Sequence, residues 1–252
     1  MGITVNTNIY SLAARRNIGR SQFELATAVQ RFSSGLRINM AKDDAAGIGI
    51  AQLSEANARG AAVAQRTLGD GYSRLQIVDG ALQTAQQIVQ RLRELQLMKV
   101  SDTYTSTQKG YLDTEIADLN TEMGAIMDRA KYNGEAAAGS FSVLAGANSE
   151  TISVGQSVSL GSVSSVSGAA TMLDTINTAL AKVGAGQSVL EKALSTAMNL
   201  EEAQWATYGR AMDADMARET ARLTSAQVVQ QAGVAALAQA NTLPQLALGL
   251  LG

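Results

Sequence analysis

The stretch LGDGYSRLQIVDGALQTAQQIVQRLREL, residues 68–95, decides the fold class of this chain. Apolar and small residues recur along it in steps of three and four, at Leu68, Gly71, Leu75, Val78, Leu82, Ala85, Val89 and Leu92. This spacing is the a/d seam of a helix that packs along another helix. A second apolar line, formed by Ile77, Ala81, Ile88 and Leu95, indicates that the helix packs on more than one neighbour.

The helix that contains this stretch is predicted to run from about Asp44 to Lys99. Asp43 and Asp44 stand at its start, where carboxylates accept free backbone N–H groups, so we interpret them as capping residues and not as an acid–base pair. At about 1.5 Å per residue, such a helix is roughly 80 Å long. We therefore expect a rod.

Other parts of the chain repeat the three-four spacing. The N-terminal segment, residues 3–36, carries Ile18, Leu25, Val29, Phe32 and Leu36 before a predicted break near Gly35 to Asp43. A third helix carries Leu112, Ile116, Leu119, Met123, Ile126 and Ala130, and a fourth begins near Met172 and carries Leu173, Ile176, Leu180, Val183, Gln187, Leu190, Leu194 and Ala197. The last helix has Val229, Ala236, Leu243 and Leu250 seven apart, with Gly233, Ala240 and Ala247 on the same face. Pro244 is predicted to kink this helix or restrict its final turns.

The middle of the chain changes period. Alternation from Phe141 to Ala145 and at Ile152 and Val154, around a Gly/Asn turn, predicts one β-hairpin near residues 141–155. The Ser- and Gly-rich residues 156–168 are predicted to form a short exposed loop, in which Ser157, Ser159, Ser162, Ser164 and Ser165 are candidates for glycosylation.

The predicted fold is therefore mainly α: a long antiparallel coiled-coil helical rod with one small β-hairpin and with the N- and C-terminal helices paired. We expect two domains, one of terminal helices (residues 1–42 with 214–252) and one of the helical rod (residues 43–213). A rod of this kind exposes more seam than one chain can cover, and copies of the same chain can bury it. The predicted assembly seam comprises Ile18, Leu25, Val29, Phe32, Val229, Gly233, Ala236, Ala240, Leu243, Ala247 and Leu250.

Composition argues against several classes of function. The net charge is −2 with no basic cluster, which disfavours nucleic-acid binding. The chain has no His and no Cys, so the commonest general base, thiol nucleophiles and zinc-thiolate sites are missing. Asp213 and Asp215 are two residues apart and diverge on a helix, which disfavours a metal site. No cleaved signal and no membrane span is recognisable. We predict no catalytic residue, no metal and no cofactor.

Many short motifs, in the same order, resemble those of bacterial flagellins. They are residues 31–39 (RFSSGLRIN), 41–47 (AKDDAAG), 70–71, 79–82, 90–95, 132–134, 143–154, 213–215, 230–233, 238–241 and 243–245, with Leu250-Leu251 at the close. The resemblance runs through nearly the whole chain. It implies a filament subunit whose terminal helices form an inner tube beneath a coiled-coil layer. Since only residues 156–168 could hold an insertion, the chain resembles a minimal flagellin without variable outer domains.

The resemblance also implies partners. Flagellins form a homo-polymer, the extracellular filament used for swimming. They are secreted without a cleaved signal through the flagellar type III export apparatus with an export chaperone, and they meet hook-associated and cap proteins. At Arg91, Leu95 and Glu115 it implies contact with the Toll-like receptor that detects flagellin, or else packing between subunits. The alternatives are a hook–filament junction protein, a carbohydrate-binding surface relative of flagellin and, more distantly, an enzyme.

Overall fold

The computed structural model describes the backbone of residues 7–249 and the side chains of residues 7–242. This part of the chain is mainly helical. In chain order it contains α1 (Ile9–Ser34), α2 (Ala45–Val100), α3 (Ser106–Arg129), β1 (Lys131–Tyr132), β2 (Glu135–Ala136), β3 (Gly139–Leu144), β4 (Thr151–Gln156), α4 (Val166–Met212) and α5 (Met216–Gly249). The predicted mainly α fold with paired terminal helices is confirmed, since α1 packs along α5.

The chain divides into two compact units. The terminal unit consists of the described parts of Met1–Glu55 and Trp205–Gly252, and the central unit is Ala56–Gln204. Both boundaries fall inside long helices, whereas the division predicted from sequence followed the breaks between helices. The assignment of residues 1–42 with 214–252 and of residues 43–213 to separate layers of a filament stays a prediction.

The core of the central unit is built on the α2 seam. All eight seam residues from Leu68 to Leu92 are buried, and they meet buried residues of α3 and α4 such as Ile116, Met123, Ile176 and Leu190. On the second apolar line Leu95 is fully buried, whereas Ile77 remains 37% exposed. The three-four spacing therefore predicted the buried face of α2 residue by residue.

Two hairpins stand where the sequence predicted one. The predicted hairpin is β3–β4, in which Phe141 pairs with Val154 and Val143 with Ile152. The additional hairpin, β1–β2, turns at Asn133 and Gly134, whose φ angles are 51° and 84°. Two consecutive positive φ angles at Asn-Gly are the signature of a type I′ turn, which joins strands of two residues here. The prediction of a single hairpin was therefore incomplete.

The β3–β4 hairpin is held against α2 by close packing and by an arginine. A Cβ atom on Gly71 would lie 2.7 Å from Cγ1 of Val143, so only glycine permits this approach. The guanidinium of Arg74 lies 4.4 Å from the centre of the Phe141 ring and donates a hydrogen bond to the carbonyl of Ala137 at 2.9 Å. These contacts fix both hairpins on one helix.

The segment between β4 and α4 is shorter and less exposed than predicted. It ends at Ser165, because α4 begins at Val166. Val163 is only 1% exposed, and its backbone is clamped by Asn120 of α3. The Asn120 amide accepts a hydrogen bond from the Val163 N–H at 2.7 Å and donates one to the Val163 carbonyl at 3.1 Å. The five candidate serines are nevertheless all exposed.

In the terminal unit, the predicted break after the first helix is confirmed. α1 ends at Gly35, whose φ of 71° suits glycine, and its N–H donates to the Arg31 carbonyl at 2.9 Å. Leu36 then forms an antiparallel bridge with Asp213, just before α5. α5 stays helical past Pro244 to Gly249. The predicted effect of Pro244 on these final turns did not end the helix.

Candidate assembly surface

The interface between α1 and α5 is made of small residues and backbone carbonyls. Ser21, Ala28, Ala226 and Ala240 are its most buried members. The Ser21 hydroxyl donates a hydrogen bond to the Ala226 carbonyl at 3.0 Å, and the Asn8 amide donates one to the Ala240 carbonyl at 2.7 Å. Because these donors reach backbone atoms of the opposite helix, they fix the register of the antiparallel pair.

Gly233 marks the closest approach of the two helices. A Cβ atom there would lie 2.9 Å from Cγ1 of Ile18, a separation that a real side chain does not tolerate. The pair therefore owes its close packing to the absence of large side chains on α5 at this level. Ile18 itself is half-buried.

The predicted assembly seam divides between this interface and the exposed surface. Ile18, Leu25, Gly233 and Ala240 lie on the α1–α5 interface, whereas Val29, Phe32, Val229 and Ala236 are exposed. The side chains of Leu243, Ala247 and Leu250 lie outside the described residues. The prediction was wrong in treating all members as one face, because α5 buries the stripe formed by Ala226, Gln230, Gly233, Leu237 and Ala240.

Large apolar side chains remain exposed on both helices. On α1 they are Ile9, Tyr10, Leu12, Phe23, Val29 and Phe32, and on α5 they are Met216, Val228, Val229 and Val234. Phe23 is 79% exposed. Such a concentration on one helix pair is typical of a surface that another macromolecule covers.

Charge is distributed unequally over the same pair. Arg15, Arg16 and Arg20 lie on α1, and the first acidic residue of the chain is Glu24. Residues 223–252 contain no Asp, Glu, Lys or Arg at all. α5 beyond Arg222 can therefore be covered without removing any charge from water.

A groove of about 400 Å³ runs along one side of the α1–α5 pair. Its lining residues are Phe23, Glu24, Thr27, Ala28, Arg31, Glu219, Arg222, Ser225, Ala226 and Val229. At one end, the nearly buried carboxylate of Glu219 lies 2.9 Å from Nη1 of Arg222 and 3.8 Å from Nη1 of Arg31. Nε of Arg31 is buried without any hydrogen-bond partner.

The aspartates singled out in the sequence cap helices. Asp44 accepts a hydrogen bond from the Gly47 N–H at 2.8 Å, as the capping interpretation predicts. Asp43 accepts from the N–H groups of Asn39 and Met40, and Asp215 accepts from those of Ala217 and Arg218 at the start of α5. In the part of the chain that the structure describes, no group of three acidic or metal-ligating side chains could hold a metal ion.

Two of the three residues that the resemblance connects with an immune receptor share a surface site. Nε and Nη2 of Arg91 donate to one carboxylate oxygen of Glu115 at 3.0 and 2.9 Å. These hydrogen bonds, and a further one to Glu94, raise the pKa of Arg91 above its usual value. Leu95 is fully buried in the central core, so its expected role in a surface contact is corrected.

Comparison with known proteins decides the family. The model of the bacterial flagellin N-terminal helical region matches residues 5–138, and that of the flagellin C-terminal helical region matches residues 163–251. The chain belongs to the flagellin family. Flagellins are structural proteins, and this flagellin is a subunit of the bacterial flagellar filament, the extracellular polymer that serves motility. Among the described residues, no helix is long and apolar enough to cross a membrane.

Similar flagellins differ mainly in length. The chain is 31% identical to a flagellin of Halalkalibacterium halodurans, over 98% of this chain and 99% of that protein. It is 30% identical to the flagellar filament core protein flaB2 of Brachyspira hyodysenteriae, again over 98% and 99%. Identity to a flagellin of Salmonella typhimurium is 39%, but the match covers 62% of this chain and only 30% of that protein. This flagellin is therefore a minimal member of its family.

Proposed function

We propose that this flagellin makes its filament contacts mainly through α1 and α5, which form the innermost layer of the filament. The observation that carries the proposal is the exposure of large apolar side chains on both helices, of which Phe23 and Val229 are examples. The central unit keeps its large aliphatic residues inside and supplies the surrounding layer. Polymerisation removes the exposed apolar area from water, at about 25 cal/mol for each Å² buried.

A variant with one added charge tests this proposal. Val229 is 51% exposed, so Val229→Asp leaves the isolated chain with unchanged helical content and melting temperature. In the polymer the carboxylate would be buried without a partner, and we expect no filaments by electron microscopy. Val229→Thr, which has nearly the same volume and no charge, is the control and should still polymerise.

Two results would contradict the proposal. Filaments of normal yield from Val229→Asp would mean that this face of α5 does not meet other subunits. Unfolding of the isolated variant would mean that Val229 belongs to the chain's own core. Ala240→Asp is less informative, because Ala240 is already buried against α1 and a charge there would disturb the pair within one chain.

We further propose the usual route and partners of a flagellin for this chain. It would leave the cell through the flagellar type III export apparatus with the help of an export chaperone, and would contact hook-associated and cap proteins at the ends of the filament. The family membership supports this assignment. The chain would act as a structural protein without enzymatic activity, in keeping with carboxylates at positions 44 and 215 that cap helices.

Recognition by a host receptor is proposed for Arg91 and Glu115 alone. Both side chains are 44% exposed and form one charged pair on the surface of the central unit. Glycosylation is proposed at Ser157, Ser159, Ser162, Ser164 and Ser165, all of which are exposed. Mass spectrometry of filaments from the native cell would detect the added sugar mass, and receptor activation by Arg91→Ala filaments would test the charged pair.

A further inference from the structure

The groove on the α1–α5 pair has two needs that the chain does not meet by itself. The first is apolar cover, because Phe23 stands 79% exposed at its rim. The second is a hydrogen-bond acceptor, because Nε of Arg31 is buried and unpartnered. A buried donor without an acceptor is costly, and native structures contain few of them.

The neighbouring carboxylate does not satisfy Arg31. Glu219 bonds Arg222 at 2.9 Å, and its distance to the nearest nitrogen of Arg31, Nη1, is 3.8 Å. That distance is too long for a hydrogen bond, and it involves Nη1 and not Nε. An acceptor for Nε must therefore come from a molecule that enters the groove.

We propose that the groove receives the α5 helix of a second copy of the chain. The face that enters it carries Gln227, Gln231, Val234 and Ala238, all of which are exposed in the single chain. The amide oxygen of one of these glutamines accepts the hydrogen bond of Arg31 Nε, and Val234 packs against Phe23. This inference rests on the proposed role of α1 and α5 in filament contacts.

The absence of charge on α5 favours this occupant. The outer surface of α1 carries Arg15, Arg16 and Arg20, which would lose their hydration if they were placed in the groove. The α5 face offers apolar side chains and neutral amide oxygens only. It therefore meets both needs of the groove without burying an unpaired charge.

The geometry also gives an open-ended polymer. Val229 lines the groove, whereas Gln231, two residues further along α5, points about 200° away around the helix axis. A copy that inserts its Gln231 face into one groove therefore keeps its own groove free for a third copy. Contacts between two different surfaces continue in this way, whereas contacts of a surface with itself close into a dimer.

Cross-linking tests the occupant directly, because the chain has no cysteine of its own. A thiol-linked benzophenone on Thr27→Cys, inside the groove, is irradiated in filaments assembled from a mixture of isotopically heavy and light chains. We expect cross-links between heavy and light chains that map to residues 224–242. Gln30→Cys, exposed on α1 but outside the groove, is the control and should not cross-link to that segment.

A conservative substitution tests the acceptor. Arg31→Lys keeps the positive charge beside Glu219 but removes the Nε donor, so we expect the critical concentration for polymerisation to rise about tenfold or more. The helical content of the monomer should not change. Arg20→Lys, on the exposed surface of α1, should polymerise like the unmodified chain.

The outcomes separate this inference from the proposed function. If the unmodified chain assembles but Thr27→Cys gives no cross-link to α5 of another copy, the groove is not the contact and the inference is wrong. An unchanged critical concentration for Arg31→Lys would overturn the role of its Nε. If Val229→Asp assembles normally, the proposed role of α1 and α5 fails as well.

Discussion

The central and terminal units bury different kinds of side chain. In the central unit, Leu68, Leu75 and Leu82 are almost completely removed from solvent. In the terminal unit, the residues enclosed between α1 and α5 are small, such as Ser21 and Ala226, while the large apolar side chains face outward. Burial of a leucine side chain contributes about 1.5–3 kcal/mol, and an alanine methyl contributes far less.

This difference teaches which part of the molecule is complete as a single chain. The central unit draws its stability from its own core and should fold cooperatively before assembly. The α1–α5 pair has correct register and close packing but little buried apolar area of its own. We therefore expect the pair to open easily in the monomer and to become stable when copies cover its outer faces.

The largest effect is expected in the central core. Leu82→Ala removes a fully buried side chain, and the free energy of unfolding of the central unit should fall by about 2–5 kcal/mol. Denaturant titration of the monomer, followed by circular dichroism, measures this loss. Ile77→Ala, on the same helix at a site 37% exposed, should cost much less. Equal losses would remove the contrast between core and surface.

A smaller effect is expected at the close approach of the terminal helices. Gly233→Leu places a side chain where even Cβ would be 2.9 Å from Ile18, and overpacking of this kind costs about 1–3 kcal/mol. Hydrogen exchange should show loss of protection in α1 and α5, with the central unit unchanged. Ala232→Leu, on an exposed position of α5, is the control. Retained protection in Gly233→Leu would argue that the pair is looser than described.

The clamp on Val163 should contribute a moderate amount. Asn120→Ala removes both hydrogen bonds to the Val163 backbone and should cost about 1–2 kcal/mol. Limited proteolysis should then cut residues 157–165 faster. Asn120→Asp keeps the acceptor for the Val163 N–H but loses the donor, so its cleavage rate should be intermediate. Cleavage at the wild-type rate in Asn120→Ala would mean that the burial of Val163 alone holds the segment.

The smallest effect is expected at the exposed pair of Arg91 and Glu115. Arg91→Ala should change the stability of the monomer by at most about 1 kcal/mol, because exposed ion pairs are screened by water and salt. Thermal unfolding at low and high salt measures it, with Arg93→Ala as an exposed control on α2. A loss comparable to that of Leu82→Ala would show that the pair is part of the core.

Hydrophobic spacing predicted the two units with different success. It identified every buried residue of the α2 seam, because the partners of that seam belong to the same chain. In α5 it selected Val229 and Ala236, which are exposed, together with Gly233 and Ala240, which face α1. Apolar side chains in a polymer-forming helix mark burial in the assembly as well as in the monomer, and spacing alone does not distinguish the two.

Local signals and long-range contacts also differed. The capping role of Asp44 and the turn at Asn133-Gly134 have recognisable sequence signatures, although the second was interpreted as a turn without its short strands. The unpartnered Nε of Arg31 and the clamp of Asn120 on Val163 depend on residues far apart in the chain. Nothing near them in the sequence indicates such contacts.

The charge-free helix α5 has a consequence for the conditions under which the filament holds together. No side chain from residue 223 onward titrates, so contacts made there neither gain nor lose a proton when the surrounding water becomes acidic or alkaline. Dissolved ions likewise find no charge to screen along this surface. Among the groups described on the α1–α5 pair, acid and salt can act on the arginines of α1, on Glu24 and on the cluster of Arg31, Glu219 and Arg222. An extracellular polymer joined in this way keeps its inner contacts when the medium changes.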